Sequence, residues 1–245
     1  MPDDILRLAV LIDADNASAN LIGDILAEVS KLGTATVKRI YGDFTSANLQ
    51  SWGKMLAEHA IQPIQQYRNT TGKNASDSAL IIDAMDLLHT RHLEGFCLVS
   101  SDSDFTRLAT RIREDGVPVY GFGEEKTPKS FIQACDKFIY TEIFKKKGGV
   151  SSSISVSSKS NPLRDFDKDG AFKTALEQSV DAAMTESGRA NLATVGSHLS
   201  KLLPDFDTRN YGFLNLSGLV EKIPNLNVTR EKTPNGLQIV YVERK

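Results

Sequence analysis

The sequence predicts an α/β fold, a mostly parallel sheet with helices on both faces, followed by a smaller helical domain ending in a β-hairpin. Three observations predict it. Short apolar runs alternate with segments of helical period through residues 1–144. The first run, LAVLI at 8–12, is apolar at every position, as in a strand covered on both faces. Between the two domains, KKKGGVSSSISVSSKSNP (145–162) holds seven serines, two glycines and four lysines. It has too little apolar surface to join a core and reads as a flexible linker, which leaves 1–144 and 163–245 as the two domains.

In chain order, 8–12 is the first strand. Residues 19–32 follow with Leu21, Ile25, Val29 and Leu32 at helical spacing, and Gly33 ends the segment. Residues 34–41 read as a strand, 49–59 as a helix, 61–66 as a short strand and 76–89 as a helix. Residues 95–100 form the next strand, and 105–115 a helix stopped by Gly116. Residues 117–122 and 137–140 are further short strands. Between them Thr127 is expected to cap a helix with Pro128 in its first turn. In the second domain 172–184, 191–203 and 211–222 read as three helices. NLNVTR, a turn at TPNG, and LQIVYVER then read as a hairpin. Three helices and a two-stranded wing describe a winged helix-turn-helix.

Net charge over the 245 residues is −2, which excludes a uniformly basic nucleic-acid coat. The distribution is uneven: 14 Lys/Arg against 20 Asp/Glu in 1–144, four lysines and no acid in 145–162, and 11 against 11 in 163–245. Two cysteines and four histidines show no disulfide or zinc-ligand spacing. The N-terminal apolar run is too short for a signal peptide or a membrane span, so a cytoplasmic protein is expected, with no membrane partner.

The acids carry the chemistry. In parallel α/β sheets ligands bind beyond the carboxyl ends of the strands. Asp13 directly follows LAVLI, and Asp102 and Asp104 follow FCLVSS. In the 76–89 helix, Leu80, Ile81, Ala84 and Leu88 share one face, and Asp77 falls in the middle of it. Asp83 lies on the flank and Asp86 on the wet side. Each of these acids also has a plain structural reading, as a helix N-terminal charge or a strand-end cap. Together they deliver carboxylates from three separated segments to one end of the sheet. Two such charges at about 4 Å repel by roughly 1–4 kcal/mol, so a cation is expected to resolve the cluster. Hard oxygen donors without His or Cys suit Mg²⁺ or Mn²⁺, and such ions favour phosphate ligands.

LIDADN, YGDF (41–44), GKNASDSALIIDAMDLL (72–88) and VSSDSDFTRLATRIREDGVPVYGFG (99–123) together resemble the NYN domains of the PIN-like nuclease superfamily, across nearly all of 5–144. The resemblance implies metal-dependent hydrolysis of RNA. The family's acids fall on Asp13, Asp77, Asp102 and Asp104, and its asparagine on Asn16. Asp83 matches a second helix acid, and Asp15 is either a further ligand or a solvent-exposed neighbour. Lys73 and Asn74 are candidates for contacting phosphate, or simply part of a solvated loop. Residues 165–244, through VGSHLSKLLPDFDTRNYGFLNLSGLVEKIPNL, resemble the LOTUS, or OST-HTH, domain, which implies an RNA-binding or protein-docking module. There Lys201, Arg209, Lys222 and Arg230 are candidate phosphate contacts or surface charges, and Tyr211 and Phe213 read as core. Two other readings remain open at this point. One is a non-catalytic RNA-binding or assembly scaffold. The other is a haloacid-dehalogenase-like phosphatase suggested by the Asp-x-Asp of LIDADN, although Asn16 departs from that pattern and Asp77 would have no role in it.

Overall fold

The computed structural model describes residues 5–67, 75–90, 92–145, 162–232, 236 and 238–245. Most of the 145–162 segment, Lys73 and Asn74, and most of the TPNG turn lie outside the described residues. The chain divides into two units, Met1–Lys147 and Gly148–Lys245.

The first unit runs β1 (Arg7–Asp13), α1 (Ile22–Val29), β2 (Thr34–Gly42), α2 (Trp52–Glu58), β3 (Gln62–Gln65), α3 (Ala75–Thr90), β4 (Gly95–Val99), α4 (Thr106–Glu114), β5 (Val119–Gly123), α5 (Lys129–Ala134), β6 (Lys137–Tyr140) and α6 (Glu142–Lys145). All six strands are parallel, in the order β3-β2-β1-β4-β5-β6. Strand order reverses between β1 and β4, and at such a switch point ligands bind beyond the carboxyl ends of the strands.

Strand alternation sorts the side chains. Leu8, Val10 and Ile12 of β1 pack with Ile22, Ile25 and Val29 of α1 and Trp52 of α2, together with Ile40, Cys97 and Val99. The intervening positions of these strands, Ala9, Leu11 and Asp13, Arg39 and Tyr41, Phe96 and Leu98, therefore belong to the opposite face. Helix α3 covers β1 and β2. The continuous apolar character of β1 follows from this two-sided cover. Both cysteines are buried and free. Among the described residues no helix is long and apolar enough to cross a membrane.

Helix ends differ from the sequence reading for local reasons. The 19–32 segment begins as a 3₁₀ turn at Ala19–Leu21 and is α-helical only through Ile22–Val29. Thr127 is not the cap of α5. Its hydroxyl donates to the Glu124 carbonyl at 2.5 Å, closing the preceding turn, and Pro128 occupies the capping position.

The second unit comprises α7 (Gly170–Ala183), β7 (Arg189–Asn191), α8 (Leu192–Leu202), α9 (Leu216–Val220), β8 (Leu226–Lys232) and β9 (Gln238–Arg244). The wing has three antiparallel strands, β7-β9-β8, not two, because Arg189–Asn191 pairs with Tyr241–Glu243. The helix expected over 211–222 is broken. A 3₁₀ turn, Thr208–Tyr211, ends at Gly212 in the left-handed region (φ 80°), and α9 restarts behind Asn215, whose side chain accepts from the Gly218 N–H. Phe172, Leu176, Val195, Leu199, Tyr211, Leu219 and Val242 form its core, and Phe213 packs edge-on against Phe166.

Gly123, at the carboxyl end of β5, tests how tightly the site end of the sheet is packed. A Cβ there would lie 2.5 Å from the Ser100 carbonyl oxygen and 2.8 Å from Thr127 Oγ1. The Ser100 N–H already donates to the Phe122 carbonyl, so that backbone has little room to retreat. Gly123→Ala is expected to cost about 1–3 kcal/mol in urea unfolding, the usual penalty for overpacking. An unchanged midpoint would contradict this packing.

Candidate active site

The acids collect at the carboxyl ends of β1 and β4. β1 pairs with β4 through Ile12↔Val99, so Asp13 and Ser100 continue side by side beyond the last pair. Asp13 is 1% exposed. Its Oδ1 accepts from the Asp15 N–H at 3.1 Å, and its Oδ2 accepts from Asn16 Nδ2 and the Ser100 hydroxyl, both at 2.8 Å. Burial raises its pKa, and those three donors oppose the rise.

Ser100 couples the two strand exits. While its hydroxyl donates to Asp13, its oxygen accepts from the Asp102 N–H at 3.1 Å. Asp102 in turn caps the 3₁₀ turn Ser103–Phe105, accepting from the Asp104 N–H at 2.9 Å. Ser101 is also buried, and its hydroxyl accepts from the Glu124 N–H at 2.8 Å, tying the loop after β5 to the same exit. The alternate acids of SSDSD are thus set by a strand end and a capped turn.

From the facing helix, Asp77 lies in the first turn of α3, at the head of the buried stripe Leu80, Ala84 and Leu87. One oxygen from each of Asp77, Asp102 and Asp104 lies within 4.8 Å of the others. Asp77 and Asp102 are half-buried and Asp104 is exposed. Partial burial, then the charges of Asp13, Asp102, Asp104 and Asp15, push the Asp77 carboxyl up to about 6. Asp13, expected with this set, is not one of the three. It sits behind them with its oxygens engaged by protein donors. Asp15 and Asn16 are exposed on the turn after β1. Asp83 is occupied elsewhere: it accepts from Arg39 and from the Tyr41 hydroxyl, both on β2.

A family model for the NYN domain matches residues 7–143. The chain belongs to the NYN-domain family. NYN domains fall in the PIN-like nuclease superfamily, and the acids of this one lie at the switch point of its sheet. A second model, the OST-HTH/LOTUS domain, matches 167–240. No curated protein matches the chain. Among solved structures the chain is similar to a protein of unknown function from Vibrio parahaemolyticus, at 16% identity and TM-score 0.48, over 56% of this chain and 94% of that one. It is also similar to an uncharacterized protein from Nitrosomonas europaea (25% identity, TM-score 0.30, 40% and 90%) and to a protein from Chromobacterium violaceum (27%, 0.25, 37% and 87%). All three TM-scores fall below 0.5, and family membership rests on the family models.

Of the cations expected in the OST-HTH/LOTUS domain, two are committed within the fold. Arg209 forks onto Asp207, with Nε donating at 2.9 and 3.0 Å to its two oxygens, and Arg230 pairs with Glu221. Lys201 and Lys222 are exposed. Tyr211 is buried, and its hydroxyl donates to Asp169.

Sequence reasoning missed Ser100 and Arg39. Ser100 shares the alternation of Phe96 and Leu98, which places its hydroxyl on the face of Asp13. Arg39 stands between Val37 and Tyr41, one charge on an apolar face, a signal that it needs a partner there.

The raised Asp77 pKa makes the metal-free NYN domain pH-sensitive. Its ordinary value is 3.8, so between about 4 and 6 the folded state holds a proton that the unfolded state releases. The protonated carboxyl's contribution to stability is fully present below pH 3.8 and is lost as pH rises through 6. In EDTA at pH 7, Asp77→Asn is expected to melt above the wild type, with the gap closing as pH falls toward 4. A gap that widens on acidification would contradict the assigned environment.

Proposed function

We propose that the NYN domain hydrolyses RNA phosphodiester bonds at a Mg²⁺ or Mn²⁺ site held by Asp77, Asp102 and Asp104, and that the OST-HTH/LOTUS domain binds RNA. The observation that carries this reading is the meeting of three carboxylates from α3 and the β4 exit at the carboxyl-edge switch point. The donor set fits the ion. It offers hard carboxylate oxygens, with no histidine or cysteine in the cluster. Partial burial, and then the neighbouring carboxylates, push the Asp77 carboxyl up to about 6, and a cation beside it would offset both effects. When bound, such an ion lowers the pKa of a water and neutralises charge on the phosphoryl group.

In this reading the chain's own residues do the positioning. Asp102 and Asp104 are fixed by the capped turn, and Asp77 by its place at the head of the α3 stripe. Asp13 supplies a fourth negative charge from behind, locked by Asn16, Ser100 and the Asp15 N–H. Those three donors also make Asp13 a poor phosphatase nucleophile, since both of its oxygens are engaged and it is buried.

The test is incubation of labelled single-stranded RNA, single-stranded DNA and p-nitrophenyl phosphate with the full chain in Mg²⁺, Mn²⁺ or EDTA. RNA cleavage is expected only with metal. Asp102→Asn should reduce it at least about 10²-fold, the scale on which one preorganised electrostatic group acts. RNA bound but never cut would make the protein a scaffold. Turnover of the phosphomonoester alone would make it a phosphatase.

A further inference from the structure

Helix α3 has a rotational ambiguity that its apolar residues leave open. Between 80 and 88 every residue except Asp83 and Asp86 is apolar, so burial alone selects no single face. Leu80, Ala84 and Leu87 are buried, whereas Ile82 is 63% exposed. The directional contact is polar. Asp83 Oδ1 accepts from Arg39 and Oδ2 from the Tyr41 hydroxyl. Arg39 and Tyr41 are alternate residues of β2, and Tyr41 pairs in register with Asp13 on β1. The side chains of Arg39 and Asp83 are 20% and 23% exposed, so the contact is only partly wet.

Resting on the metal-site reading above, we propose that Asp83, with Arg39 and Tyr41, is a positioning device and not a metal ligand: it sets the rotation of α3 that aims Asp77 at Asp102 and Asp104. Asp77 and Asp83 are six residues apart, about 9 Å along the axis and roughly 120° around it. One carboxylate grips the sheet while the other faces Asp102 and Asp104. A helix turn of about 20° moves a group roughly 5–6 Å from the axis by about 2 Å, whereas metal–ligand distances tolerate about 0.2 Å. A small loss of rotational setting therefore disables Asp77 as a ligand without unfolding the domain. The two-point grip by Arg39 and Tyr41 supplies that setting because both donors are fixed on one strand.

Calorimetric titration of Mn²⁺ into the full chain tests this, with melting temperature and circular dichroism followed in parallel. Wild type is compared with Asp83→Asn, Arg39→Met, Arg39→Lys and the double variant Arg39→Met/Asp83→Leu. Asp83→Asn and Arg39→Met are both expected to weaken Mn²⁺ binding about 10- to 100-fold, the range typical of groups that orient ligands. Arg39→Lys should recover part of the loss. The double variant removes both charges and should recover melting temperature but not Mn²⁺ affinity, which separates positioning from stability. If Arg39→Met bound Mn²⁺ as well as or better than wild type, Asp83 would be a ligand relieved of a competing cation, and the proposal would fail. Recovery of full affinity in the double variant would reduce the pair to a stability contact and would also overturn it. No Mn²⁺ binding by the wild type would overturn the metal-site reading and this role together.

Discussion

Mutual repulsion among carboxylates at one edge of a parallel sheet is the constraint on which the rest of the first unit depends. Three oxygens within 4.8 Å, with the buried Asp13 behind them, form a cluster that no isolated chain would assemble. At about 4 Å each pair costs roughly 1–4 kcal/mol, depending on the local dielectric. The fold offsets that cost. Six parallel strands with helices on both faces bury the apolar residues of β1 and β4 and bring their exits together. Partial burial and this repulsion together push the Asp77 carboxyl up to about 6.

The site is rigid because each acid is tied to backbone that something else already fixes. Ser100 holds Asp13 with its proton and the Asp102 N–H with its oxygen, so the exits of β1 and β4 cannot move independently. Ser101 binds the loop after β5 to the same point. Helix α3 is attached to β2 through Asp83. Arg39 is held on β2 by Asp83. The arrangement concentrates negative charge while keeping its geometry, which is what a hard cation requires of a site.

Much of this is legible in the sequence. LAVLI announces a doubly covered strand, and its neighbours alternate with helices, so the parallel sheet follows from the pattern alone. Asp77 stands out because a charge at the head of a buried stripe has no packing reason to be there. What stays hidden depends on which residues meet across the fold. Asp83 matches a family acid, yet its partners lie 42 and 44 positions away on β2, a distance no local pattern encodes. The sequence groups Asp13 with the trio because its strand ends beside theirs. The hydrogen bond it accepts from Ser100, 87 positions away, is one that only the folded register creates. In the second unit Gly212 interrupts an otherwise helical run, and β7 is too short, at three residues, to show a period.

The central claim is that the trio binds a divalent cation between α3 and the β4 exit. Crystals of the full chain soaked in Mn²⁺, with data collected at the manganese absorption edge, test it directly. The account predicts an anomalous peak within coordinating distance of carboxylate oxygens of Asp77, Asp102 and Asp104, and its loss in Asp77→Asn. A manganese peak elsewhere on the protein with none at the trio would contradict it.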